Sequence, residues 1–133
     1  MPSPDAAFQP GFRISTLDKI VLIVGGIAAI VAWQYFPWLG YAIACVVGHF
    51  FLFCNVVRMS RGLELAWSAA FLLLTGGAVV LGSPSWSIAT LGTFAATGFC
   101  VAVEMRKPSY HGALWQTINP SLPLWWDEQS RSR

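Results

Sequence analysis

The 133-residue sequence contains little charge, since lysine, arginine, aspartate and glutamate together make up 11% of its residues. A water-soluble domain typically carries about 25% charged residues, so this chain has too few to cover a surface facing water. The net charge of +2 is small and the basic residues form no single patch, which argues against a nucleic-acid partner. A hydrophobic content of 56% and a mean hydropathy of +0.59 instead indicate an integral membrane protein.

Cysteine and histidine are also scarce, with three and two residues respectively. The cysteines lie inside apolar segments without CxxC or other metal-ligand spacing, so we predict neither disulfides nor a metal site. The sequence lacks a glycine-rich phosphate loop, an HExxH motif and an inward pair of carboxylates. We therefore predict that the protein is not an enzyme.

Four apolar runs of about 20 residues dominate the chain, and each is long enough to cross the roughly 30 Å hydrocarbon core of a bilayer as a helix. They lie at about 17–36, 38–57, 63–82 and 86–104. The connections between them are short, which forces neighbouring helices to be antiparallel. The predicted fold is an all-α integral membrane protein in which residues 17–104 form a bundle of four antiparallel transmembrane helices, preceded by an arm (1–16) and followed by an aromatic tail (105–133).

Capping signals mark two of the predicted helix starts. Ser15 and Asp18 have the spacing of a capping box before the first run. Ser83 followed by Pro84 predicts a serine cap with proline at the first helical position of the fourth helix.

The basic residues lie at one end of the predicted bundle. They occur at the start of the first run, in the second connection and after the fourth run: Arg13, Lys19, Arg58, Arg61, Arg106, Lys107, Arg131 and Arg133. The first and third connections carry no charge. The positive-inside rule therefore places both termini in the cytoplasm, with the bundle in the inner or plasma membrane if the protein is bacterial. The alternative is that the first run is a cleaved signal peptide, which would leave three spans.

His49 is the most informative polar residue, because it lies about eleven residues into the second run, roughly 16 Å deep at the rise of a helix. Ionisable residues at that depth are functional candidates by default. Three interpretations remain open. His49 is a neutral packing residue bonded to a hydroxyl such as that of Thr97, an axial ligand of a tetrapyrrole pigment or haem, or part of a proton or solute path. A six-coordinate haem needs a second ligand, and the other histidine, His111, lies outside the apolar runs.

Polar residues also gather at the predicted cytoplasmic edge of the bundle. We interpret six of them as a clamp in which acids and bases pair and join the ends of the second, third and fourth helices: Asn55, Arg58, Arg61, Glu64, Glu104 and Arg106. The alternative is a docking patch for acidic lipid headgroups or for a loop of a partner.

The tail contains aromatic residues of the types that settle at the headgroup level of a membrane, namely Tyr110, Trp115, Trp125 and Trp126. We predict that the tail lies along the cytoplasmic face, either against lipid or against a partner subunit. In the fourth run, Gly92, Ala96 and Cys100 recur at every fourth position and predict a helix-packing face.

In size and number of spans, the chain resembles the small multidrug-resistance transporters. That resemblance implies a membrane-embedded glutamate in the first helix, but the first run here offers only Gln34 as an uncharged polar residue and both glutamates of the bundle lie at helix ends. A small accessory or interaction subunit of a larger membrane complex is therefore the preferred function, with other membrane subunits or a second copy as partners and no cofactor. The alternatives are a tetrapyrrole-binding protein that uses His49, and a minimal solute transporter.

Overall fold

The computed structural model describes residues 8–132, and this part of the chain is helical, without a β-strand. It contains four long helices and two short ones: α1 (Thr16–Tyr35), α2 (Pro37–Phe51), which continues as a π-helical segment (Leu52–Val57), α3 (Arg61–Val80), α4 (Trp86–Met105), α5 (Trp115–Ile118) and α6 (Leu122–Arg131). The first seven residues of the predicted arm and the last residue of the tail lie outside the described range.

The four long helices match the predicted apolar runs to within two residues at each end. Each is long and apolar enough to cross a membrane: Thr16–Tyr35, Pro37–Val57, Arg61–Val80 and Trp86–Met105, with mean hydropathies of 1.9, 1.8, 1.7 and 1.5. The predicted helical class and the four candidate membrane spans are therefore confirmed.

One of the two predicted helix starts is confirmed and the other is wrong. At α1, the capping box is complete, since the Asp18 amide donates to Ser15 Oγ at 3.2 Å and the Ser15 amide donates to the Asp18 carboxylate at 2.6 Å. At α4, however, Ser85 is the cap and accepts from the Ile88 amide at 3.4 Å. Ser83 lies three residues before the first helical residue, Trp86, and its amide donates at 3.3 Å to the Gly77 carbonyl at the end of α3.

The long helices pack mainly as two pairs, α1 with α2 and α3 with α4. Glycines allow the close approach within the first pair. A Cβ atom on Gly40 would lie 2.7 Å from the carbonyl oxygen of Ala29, and one on Gly25 would lie 2.6 Å from a methyl group of Val47. These contacts place the end of α1 against the start of α2, and the middle of α1 against the second half of α2.

The buried core lies among α2, α3 and α4, and α1 is peripheral to it. The core side chains include Cys45, Phe53, Trp67, Phe71 and Cys100. In α1, only 6% of the most apolar 18-residue window is buried, whereas the corresponding share in the other three helices is 22–28%.

The π-helical end of α2 forms main-chain hydrogen bonds with both the N-terminal arm and the C-terminal tail. The chain reverses after Val57 through Arg58, whose φ of +54° is left-handed. This geometry leaves two main-chain carbonyls available to other segments. The Asn55 carbonyl accepts from the Arg13 amide at 3.1 Å, and the Val56 carbonyl accepts from the Ala113 amide at 2.7 Å. The N-terminal arm and the C-terminal tail therefore meet at the same end of the bundle.

Candidate functional site

His49 lies in the core, with 6% of its surface exposed. Its Nδ1 atom is 2.7 Å from the Cys45 carbonyl oxygen one turn earlier in α2, and its Nε2 atom is 2.8 Å from the Thr97 hydroxyl on α4. The structure thus contains the hydrogen bond to Thr97 that is expected if His49 is a packing residue. Both ring nitrogens have partners within the protein.

Trp67 on α3 completes this arrangement. Its indole N–H donates to the Thr97 hydroxyl at 2.9 Å. Its ring stacks on the imidazole of His49, with 4.3 Å between the ring centroids and 24° between the planes. The three residues, called here the His49 node, therefore join α2, α3 and α4 in the buried core. Sequence reasoning missed Trp67, although an indole N–H inside an apolar helix is a donor that needs a partner.

The donors and acceptors of the His49 node constrain where its protons lie. The Cys45 carbonyl can only accept, so the Nδ1 atom of His49 carries a proton. In a neutral imidazole, Nε2 then accepts from the Thr97 hydroxyl. In an imidazolium, Nε2 donates to the Thr97 hydroxyl, which in turn donates to the Thr93 carbonyl 2.9 Å away. Both ring nitrogens are paired in either state.

An apolar groove runs beside the His49 node between α2 and α4. It has a volume of about 520 Å³ and is lined by residues that include Tyr41, Gly48, Leu52 and Phe94. This volume falls within the roughly 300–1,000 Å³ typical of ligand sites. A metal in a flat pigment would need a free nitrogen of His49, so such a ligand would have to displace the Thr97 hydroxyl.

The polar residues considered for a solute path are only partly brought together. His49 and Thr97 are in contact, whereas Gln34 is exposed near the end of α1. Two further hydroxyls, those of Tyr41 and Thr75, are buried without a hydrogen-bond partner among residues 8–132.

The predicted clamp has one buried ion pair, which is centred on Glu104. The Glu104 side chain is 4% exposed and accepts from the Lys107 ammonium at 2.7 Å. It also accepts from the Ser60 hydroxyl at 3.0 Å, which ties the end of α4 to the start of α3. Lys107 and Ser60 are not among the six residues proposed from the sequence.

Two predicted clamp residues form a local pair on α3. Arg61 and Glu64 are 3.9 Å apart and three residues apart in sequence, and the Arg61 side chain is 86% exposed. Such a pair, within one helix and open to solvent, contributes little to stability. The pair itself does not connect α3 to another helix, but Glu64 also accepts at 3.7 Å from the thiol of Cys54 on the π-helical end of α2.

The other predicted clamp residues face different partners. With its amide nitrogen turned toward them, Asn55 donates to the Asp18 carboxylate at 3.0 Å and to the Arg13 carbonyl at 2.8 Å, so it ties α2 to α1 and the arm. Arg58 donates to the main chain of Gln9, and burial, with a smaller contribution from Arg13, lowers the pKa of its guanidinium. Arg106 is exposed at the end of α4.

No protein-family model matches the chain, and no curated protein or solved structure is significantly similar to it. Among residues 8–132, no three His, Cys, Asp or Glu side chains come together in a way that could hold a metal ion. The function has to be inferred from the geometry of the chain itself.

The tail folds against the basic end of the bundle. Tyr110 is 1% exposed, and its hydroxyl donates to the Ala113 carbonyl at 2.8 Å. Burial and, to a smaller extent, the charge of Glu104 raise the pKa of the Tyr110 phenol. The rings of Trp115 and Trp126 both contact the ring of Phe8, with centroid distances of 5.9 and 5.4 Å. Of the predicted aromatic surface, Tyr110 is thus buried within the chain, whereas Trp115, Trp125 and Trp126 are partly exposed.

Proposed function

We propose that this protein is a four-span membrane protein that acts as a small accessory subunit of a larger membrane complex, without catalysis of its own. In this proposal the four long helices are antiparallel and both termini are cytoplasmic. The positions of the basic residues support the orientation, because those among residues 8–132 lie toward the end where the arm and tail meet.

The peripheral position of α1 is the observation that carries the proposed accessory role, since only 6% of its most apolar 18-residue window is buried, against 22–28% in the other three long helices. Its side chains Ile23, Ile27 and Ile30, which follow helical spacing, are 63%, 58% and 66% exposed. Lipid can cover such a face, but α1 packs mainly against one neighbour and so leaves most of its circumference available to a helix of another protein. Helices in a membrane associate through van der Waals packing rather than through a hydrophobic driving force, so a partner helix would have to fit the shape of this face.

The His49 node supports this proposal by giving the polar residues of the core a structural role. Its three side chains satisfy one another and fix three helices relative to one another. A buried junction whose polar groups are all paired within the chain suits a scaffold that presents α1 on its outside.

Site-specific photo-crosslinking tests the accessory role. A photoreactive amino acid replaces Ile27 on α1 and, as a matched control, Leu73 on α3, whose side chain is 76% exposed. The proposal predicts a discrete protein adduct of constant mass from position 27 in native membranes, and lipid adducts alone from position 73. Lipid adducts alone from both positions would contradict it.

The groove beside His49 favours a second candidate function, namely the binding of a flat hydrophobic cofactor. The test is a visible absorption spectrum of the mildly solubilised native protein beside that of a His49→Leu variant. A pigment band in the native protein that is lost in the variant would establish this second function. A colourless preparation would leave the accessory role as the explanation of the fold.

A further inference from the structure

A second cavity lies where α4 ends and the tail begins. It has a volume of about 580 Å³ and is lined by residues that include Ala102, Met105, Arg106, Lys107, Ile118 and Asn119. In the proposed orientation, this position is the cytoplasmic boundary between hydrocarbon and headgroups. The cavity is separate from the groove beside His49, with which it shares no lining residue.

The walls of this cavity are chemically divided. Ala102, Met105 and Ile118 provide an apolar side, and Arg106 and Lys107 provide a basic side. The Asn119 amide donates to the Pro108 and Tyr110 carbonyls, so its two N–H groups are already used within the tail. An occupant must therefore be amphipathic and carry its polar group near the two basic residues.

The two basic residues differ in their availability. Lys107 pairs with the buried Glu104 at 2.7 Å, which neutralises much of its charge. Arg106 is exposed and forms no salt bridge with a carboxylate of residues 8–132. Its guanidinium is the group best able to attract an anion, and a guanidinium matches the geometry of a phosphate.

We propose that this cavity binds an anionic glycerophospholipid. The phosphodiester lies on the Arg106 guanidinium with Lys107 as a second donor, and an acyl chain follows the apolar side and continues along α4 past the exposed Phe99. The shared chemistry is that of a phosphate, but the apolar wall and its continuity with the outer surface of α4 favour a lipid over a free anion. This inference rests on the proposed membrane insertion.

The same geometry sets the expected strength of binding. The carboxyl end of α4 carries partial negative charge, which opposes an anion, so Arg106 must supply most of the attraction. Loss of one ion pair that is open to solvent should weaken binding by up to about fivefold.

The test is native mass spectrometry of the full chain in detergent, titrated with dioctanoyl phosphatidylglycerol, dioctanoyl phosphatidylcholine or inorganic phosphate. We expect phosphatidylglycerol to bind most tightly. Its affinity should fall about fivefold in Arg106→Gln and by less in Arg106→Lys, which keeps the charge but loses the planar guanidinium. The matched control is Arg131→Gln, which removes the same charge from the exposed end of α6 and should bind like the original chain.

Several results would overturn the proposal. Equal losses in Arg106→Gln and Arg131→Gln would show a general charge effect, and equal binding of both lipids would show that the cavity has no preference for an anionic lipid. Inorganic phosphate binding as tightly as phosphatidylglycerol would indicate an anion site that takes no lipid. Extraction of membranes with alkaline carbonate separates this inference from the proposed function. A chain that resists extraction but shows no lipid preference refutes the lipid site alone, whereas a chain that is extracted refutes membrane insertion and the lipid site together.

Discussion

Replacement of Thr97 by valine removes one hydroxyl while it keeps the shape and volume of the side chain. That hydroxyl is the shared partner of the Trp67 indole at 2.9 Å and of the His49 imidazole at 2.8 Å. The variant therefore leaves one buried N–H group and one buried ring nitrogen without a partner. The apolar contacts of the core are unchanged, so the polar interactions alone are tested.

The size of the effect follows from two known ranges. A buried polar group that loses its partner costs about 1–3 kcal/mol in proteins generally. Hydrogen bonds between transmembrane helices average about 0.6 kcal/mol and reach about 1.7 kcal/mol. Because two groups lose a partner in the same variant, we expect Thr97→Val to lower the free energy of unfolding by about 1–3 kcal/mol.

Thr93→Val is the matched control. Thr93 lies one turn earlier in α4, is also buried, and its hydroxyl donates to the Ala89 carbonyl of its own helix at 2.9 Å. Loss of such a local bond should cost little, because a hydroxyl bonded back to its own helix does not hold another helix in place. The measurement is reversible unfolding in mixed micelles, followed by circular dichroism and tryptophan fluorescence. Equal effects of the two substitutions would refute the interpretation of the His49 node as the junction of three helices.

Three further predictions address other contacts. Glu104→Gln should lower the free energy of unfolding by about 1–3 kcal/mol because this carboxylate is buried with two partners, whereas Glu64→Gln should change it by at most about 0.5 kcal/mol. Unfolding in micelles compares the two variants. Equal losses of stability would contradict the assignment of Glu104, rather than Glu64, as the carboxylate that stabilises the bundle. Gly40→Ala should destabilise the contact of α1 with α2 by about 1–3 kcal/mol, and Gly48→Ala, which has open space at its Cβ, should be neutral or slightly stabilising. If Gly40→Ala leaves the stability unchanged, α1 and α2 lie farther apart at this point than the structure shows. The pKa of Tyr110 is raised in the folded protein. The protonated phenol therefore contributes fully to the free energy of unfolding below about pH 10, the ordinary pKa of tyrosine, and this contribution is lost as the pH rises through the higher pKa of the folded state. A stability profile between pH 8 and about 12 should therefore fall less steeply for Tyr110→Phe than for the original chain, and parallel profiles would refute this role.

The sequence predicted the long helices well because their apolar runs are uninterrupted and have the length that a bilayer requires. The start of α1 was also predictable, since a capping box is a local side-chain pattern. The start of α4 was not, because Ser83 and Ser85 flank Pro84 and either can be read as a cap, and the structure uses Ser85.

The partners of buried polar residues were harder to predict. Depth along a helix placed Thr97 beside His49, but the position of Trp67 depends on the rotation of α3 about its axis, which no local pattern specifies. The same limit explains why Lys107 was missed as the partner of Glu104. The contact of the tail with Val56 uses main-chain atoms, and these leave no pattern in the side chains.

The central claim, that the chain crosses a membrane four times with both termini in the cytoplasm, is tested most directly by cysteine labelling. Single cysteines replace Gln9, Ser83 or Ser130, all exposed, in a chain whose own three cysteines are changed to alanine. A membrane-impermeant maleimide is then added to intact cells and to permeabilised cells. The account predicts that Ser83→Cys is labelled in intact cells and that Gln9→Cys and Ser130→Cys are labelled only after permeabilisation. Labelling of either terminal position in intact cells would contradict it.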